Sequence, residues 1–262
     1  MLVVPIVSFA VLLFLVLRIS QKLNHMTMGI VLVFLLTTSP TVTRWYVANI
    51  TDGILTTTVA LAIFLSISKS RFWIPLFFFL ISAGSATRFS LPFWLVFTVY
   101  FMTRRQFFIA VAVLIWSIVN FLPAILTKPN LDFVRPQESQ TYLERIFEFV
   151  IDAFRLLFVE FAQLAVLDRP LLLVIMAAIY FSLANFRGTS SQLFILMGLA
   201  GWLIGALNPV LGVNFRYQLP ILFSACWVII EHLNIRGHGN FINSLNIVRH
   251  EVDKKLKPKK HE

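Results

Sequence analysis

With 262 residues, 58% of them apolar and 13% charged, and a mean hydropathy of +0.84, the chain is too apolar for a soluble domain of this length. It has no room for a separate catalytic domain once about 20 residues are allotted to each membrane span. Its formal charge of +10 is scattered through short polar links and gathered in one run, Lys254, Lys255, Lys257, Lys259 and Lys260, a pattern of topology signals and anionic-lipid contact that argues against a nucleic-acid partner.

In chain order, the amino terminus runs from Met1 through Pro5 into Ala10–Leu17 without a basic start or a small-residue cleavage site. It reads as a retained first span. Continuous apolar runs then predict further spans at about 28–43, 53–68, 72–86, 90–103, 107–123, 170–186, 190–207 and 219–233, so that with 1–18 about nine helices make a polytopic transmembrane bundle over 1–233. The fold class is all-α, because only helices and closed barrels satisfy the backbone in lipid and these runs lack the alternation of a barrel. Residues 234–262 form a basic tail. The lone cysteine, Cys226, excludes an internal disulfide framework and a cysteine-based metal cluster.

Segment 139–167 is different. Arg145, Glu148, Asp152 and Arg155 recur every three or four residues and form one polar stripe, opposite Ile146, Phe147, Phe149, Val150, Phe154, Leu156 and Leu157. As a span it would carry charges costing roughly 2.5 to 3.5 kcal/mol each at the helix centre. As an amphipathic helix in the membrane interface it would keep them hydrated, and that reading is favoured over a tenth span. Nine spans then place Arg18, Lys22, Lys69, Arg71, Arg104, Arg105, Arg187 and the basic tail on one side, which the positive-inside rule makes cytoplasmic. Segments 44–52 and 124–169, with Arg88 and 214–218, fall on the outer side.

No phosphate-binding glycine loop, paired histidine motif or nucleophile elbow is present. Any chemistry must therefore use charges at the outer face, where the acids are Asp52, Asp132, Glu138, Glu144, Glu148, Asp152, Glu160 and Asp168. Asp52 closes the loop that starts at Arg44 and opens a span. A carboxylate there suits a general base or a ligand for a divalent metal, or a cap for a helix starting at Gly53. Arg44, Arg88 and Arg216 converge on the same face beside Trp45, Tyr46, Phe89 and Tyr217; guanidinium forks fit a lipid phosphate, and the same residues also suit headgroup snorkelling and an interfacial aromatic belt.

Three segments carry a resemblance: Ser39-Pro40 followed by a short link and Asp52-Gly53-Ile54-Leu55-Thr56; Ala83-Gly84-Ser85-Ala86-Thr87-Arg88-Phe89-Ser90-Leu91-Pro92; and Asn214-Phe215-Arg216-Tyr217-Gln218-Leu219-Pro220. Together, over about 40–220, they resemble the C-type glycosyltransferases, polytopic enzymes that use polyprenyl-phosphate-linked sugars on the outer membrane face. The resemblance implies a polyprenyl-phosphate-sugar donor with Arg88 and Arg216 on its phosphate, Arg44 and Tyr217 as further substrate-binding residues, Asp52 as base or metal ligand, and 139–167 bordering an acceptor groove. The large acidic outer loop that follows the first span in that family has no counterpart here, which leaves four readings open: the sequence is the remaining portion of a split or truncated enzyme, a partner membrane subunit supplies the acid, Asp52 has taken the role, or catalysis has been lost. The alternative is a non-catalytic scaffold or lipid-binding subunit of a larger membrane complex.

Overall fold

The computed structural model describes residues 3–48, 50–68, 72–87, 90–127, 142–206 and 219–234, and 92% of the described residues are helical, without strands among them. In order they are α1 (Val3–Lys22), α2 (Met26–Thr38), α3 (Pro40–Ala48), α4 (Ile50–Ser68), α5 (Trp73–Thr87), α6 (Leu91–Thr103), α7 (Phe107–Thr127), α8 (Tyr142–Leu167), α9 (Arg169–Ala184), α10 (Thr189–Ala206) and α11 (Leu219–Asn234). Each of the nine apolar runs anticipated as spans falls on described helix, the run at 28–43 being divided between α2 and α3. By length and composition, two described helices, α1 and Thr51–Ser68 of α4, are long and apolar enough to cross a bilayer; the other apolar helices are shorter. The basic tail beyond residue 234 lies outside the described residues.

Tight connections make hairpins of successive helices. Asn24 and Arg105 take left-handed backbone angles, each with φ 58°, so that the His25 amide reaches the Ser20 carbonyl at 2.9 Å and the Gln106 amide reaches Phe101 at 2.9 Å. These bonds satisfy carbonyls that a helix end would otherwise leave open. At the crossing of α1 and α2, a β-carbon on Gly29 would stand 2.5 Å from Ser20 Cβ; the missing side chain lets the two backbones approach, as at small-residue crossings in membrane helices.

The core forms around α11 and α4. From Leu219 to Ile230 every residue of α11 is buried, and a helix apolar on all sides belongs at the centre of a bundle. Phe223 meets Phe64 of α4 edge-on at 6.5 Å, and His232 stacks on Phe181 of α9 at 4.4 Å. Between α5 and α6 an aromatic cluster of Trp73, Phe77, Phe97 and Phe101 fills the interface with edge-to-face contacts at 5.0–6.2 Å. By contrast α7 shows the outside a row of large apolar side chains, Phe108 being 94% exposed.

Contacts across helices define two ends of the bundle. Thr57 of α4 donates to the Ser8 carbonyl of α1 at 2.9 Å, and Gly84 of α5 fits between Thr58 and the Trp94 ring of α6. These pairs bring the starts of α1, α4 and α6 and the finish of α5 to one end. At the opposite end the Arg104 guanidinium bonds the Thr189 hydroxyl. Arg18, Lys22, Arg105 and Arg187, all exposed, belong to that same end.

Helix α8 meets the start of α9 at the first end. It packs on α9 and α10, and Phe154 meets Trp202 edge-on at 6.2 Å.

Candidate functional site

The residues at this end are organised by a break in one helix. Pro40 has no amide hydrogen and forces the preceding residue toward extended backbone; Ser39 sits at φ −73°, ψ 114°, and α2 stops there. The chain restarts as α3 and runs on outward, because the Tyr46 backbone reaches Gly53 in the first turn of α4. Thus 26–48 is one helical path broken at Ser39-Pro40. The span anticipated to end at 43 and the loop anticipated from Arg44 to Asp52 are replaced by a second half-helix, α3, and the opening turn of α4.

A buried carboxylate closes the break. Ser39 Oγ donates to Asp168 Oδ2 at 2.5 Å, and the Thr41 amide donates to the same oxygen at 2.9 Å. The other oxygen, Oδ1, accepts from the Leu171 amide at 3.0 Å. Ser39 Oγ in turn accepts from the Val42 amide at 3.1 Å. Asp168, 1% exposed, is therefore the N-cap of its own helix α9 and also a cap for α3, with its charge placed at two helix starts. Sequence reasoning grouped it with seven other outer-face acids. The signal that would have singled it out is Asp168 followed by Arg169 and Pro170, an N-cap with proline in the first turn.

Of the anticipated site residues, the described ones are Arg44 and Asp52. Arg44 is exposed on α3. Asp52 is 3% exposed and lies inside the first turn of α4, which begins at Ile50, three residues before the anticipated Gly53. It is thus past the cap position, in a turn where the helix field favours a negative charge. The ring of Tyr46 covers the neighbouring Gly53, where an added β-carbon would stand 3.1 Å from it, and packs on Phe9 at 5.0 Å. Arg88, Arg216 and Tyr217 lie outside the described residues, but the helix ends that flank Arg88, at Thr87 and Leu91, belong to the same end of the bundle as Arg44 and Asp52.

No family model, curated protein or solved structure matches the chain. Among the described residues no three His, Cys, Asp or Glu side chains gather as a divalent-metal site. Asp52 belongs to no such cluster among the described residues.

Proposed function

We propose that the chain is a multi-pass integral membrane protein in which the nine apolar helices cross the bilayer, α8 rests in the outer interface, and the basic end with its tail faces the cytoplasm. The separation of the two ends supports this reading: one carries Arg18, Lys22, Arg104, Arg105 and Arg187, while the other carries the junction of the amphipathic helix α8 with α9. Large apolar side chains along α7 and α9 supply a lipid-facing surface, and the shorter helices reach across with their flanking polar residues.

Within that frame the chain acts as a C-type-like glycosyltransferase, or as a membrane subunit of one, using a polyprenyl-phosphate-linked sugar at the outer end. The observation that carries this reading is that Arg44, Asp52 and the helix ends beside Arg88 share the end where α8 meets α9. Guanidinium groups there would bind the donor phosphate and stabilise the charge that develops on it as the sugar leaves. Arg88→Ala and Arg216→Ala should abolish sugar transfer in membrane vesicles supplied with polyprenyl-phosphate sugars. Unchanged transfer by variants that insert normally would end the proposal.

Burial of Asp52 at 3% exposure favours the second reading, a non-catalytic scaffold or lipid-binding subunit, since a base must reach its substrate. Copurification of a stoichiometric partner that carries outer-face carboxylates, with transfer that survives Asp52→Asn, would select it.

A further inference from the structure

Helix α9 begins with a cation on its outward face. Arg169 is exposed and makes no hydrogen bond or ion pair among the described residues. Below it Leu173, Met176, Tyr180 and Leu183, at 61%, 51%, 61% and 69% exposure, follow at steps of four, three, four and three residues. Helical spacing thus puts Arg169 at the head of one continuous apolar stripe that runs toward the cytoplasmic end. Beside the corner where α8 turns into α9, an open groove of about 580 Å³ is lined by Phe158, Ala162, Gln163, Val166 and Leu167. The stripe and the groove are both apolar, the groove's lining ends at Leu167, two residues before Arg169 in the chain, and Arg169 has no partner among the described residues.

We infer that this corner binds an anionic glycerophospholipid of the outer leaflet, its phosphate on Arg169, one acyl chain along the α9 stripe and the other in the α8 groove. Charge complementarity selects the occupant. An apolar peptide or a second copy of the chain would leave the guanidinium facing apolar surface, whereas a headgroup phosphate accepts two of its N–H groups at once. Asp168 does not compete for that role, because both of its oxygens are turned inward to Ser39, Thr41 and Leu171. The inference rests on the bilayer reading above and is independent of any glycosyl transfer.

The test is native mass spectrometry of the full chain released from nanodiscs that contain equal amounts of phosphatidylglycerol and phosphatidylcholine. The wild type should retain one phosphatidylglycerol per chain with about tenfold preference, the factor expected for one charge-assisted headgroup contact. Arg169→Gln should lose that preference, and Arg169→Lys should keep part of it. Thermal unfolding of the three proteins should coincide, since the side chain is exposed. Equal retention of both lipids, indifference to Arg169→Gln, or retention of a polyprenyl phosphate in place of phosphatidylglycerol would each overturn the assignment. Flotation with liposomes and resistance to alkaline extraction test the bilayer reading separately; a protein that floats and resists extraction yet shows no preference refutes the lipid site alone.

Discussion

Ser39 and Asp168, 129 residues apart in sequence, are joined by a 2.5 Å hydrogen bond in which the serine hydroxyl donates and the carboxylate accepts. The same carboxylate accepts the Thr41 and Leu171 amides, so one side chain fastens the outer half-helix α3 to the start of α9.

Asp168→Ala should therefore act on two helices together. It removes three hydrogen bonds and leaves the Ser39 hydroxyl hydrogen and the Thr41 and Leu171 amides without their acceptor, a loss of about 2 to 4 kcal/mol. Tryptophan-fluorescence unfolding in detergent should show a clearly lowered midpoint. Asp168→Asn, which keeps one acceptor oxygen, should lose less. Midpoints equal to wild type for both variants would show that the tie does not hold α3.

Two glycines offer a contrast on the same scale. A β-carbon on Gly84 would sit 2.5 Å from the Trp94 ring and 3.0 Å from Thr58 Oγ1, while one on Gly198 meets nothing within 4 Å. Gly84→Ala should destabilise by about 1 to 3 kcal/mol through overpacking. Gly198→Ala should be neutral or slightly stabilising, because alanine is the better helix former. The packing argument fails if the two variants unfold together.

Spin labels can report the attitude of α8. With Cys226 replaced, labels at Phe147, Phe154, Phe158 and Val166, all exposed, should lie at nearly one depth in a bilayer, as oxygen and nickel accessibilities would read it. A helix that crosses the membrane would instead grade through roughly 28 Å over those positions.

Side-specific labelling tests the arrangement of the ends. Single cysteines at Lys22, Arg105 and Arg187 should react with a membrane-impermeant maleimide from one side of sealed vesicles, and cysteines at Arg44 and Glu144 from the other. Cys226 itself is fully buried and should stay unlabelled until the protein unfolds.

Much of this architecture could be read from the chain. Apolar runs located the long helices to within a few residues, because in each the hydrophobic length and the helix length have the same cause. The segment set apart by its stripe from Arg145 to Arg155 is likewise a helix, α8. What was not legible depended on distance in sequence. Ser39-Pro40 marks a break, yet nothing nearby says what fills the openings it creates; the filler is an aspartate contributed by a helix six elements later. Asp52 looked like the mouth of an outer loop because residues 44–52 are polar enough for one. Packing of Tyr46 against Phe9 and Gly53 instead folds that stretch into helix and covers it.

The tie between α3 and α9 also sets an order of events during synthesis. When α2 and α3 leave the ribosome, the group that completes their junction does not yet exist; at 5 to 20 residues per second it follows after roughly ten seconds. Until then the Thr41 amide and the Ser39 hydroxyl need a temporary host, whether water, the insertion machinery or a lipid headgroup. Maturation of the first half of the protein is thus gated by arrival of the second, and a chain cut before Asp168 would hold its early helices without the piece that sets their final bend.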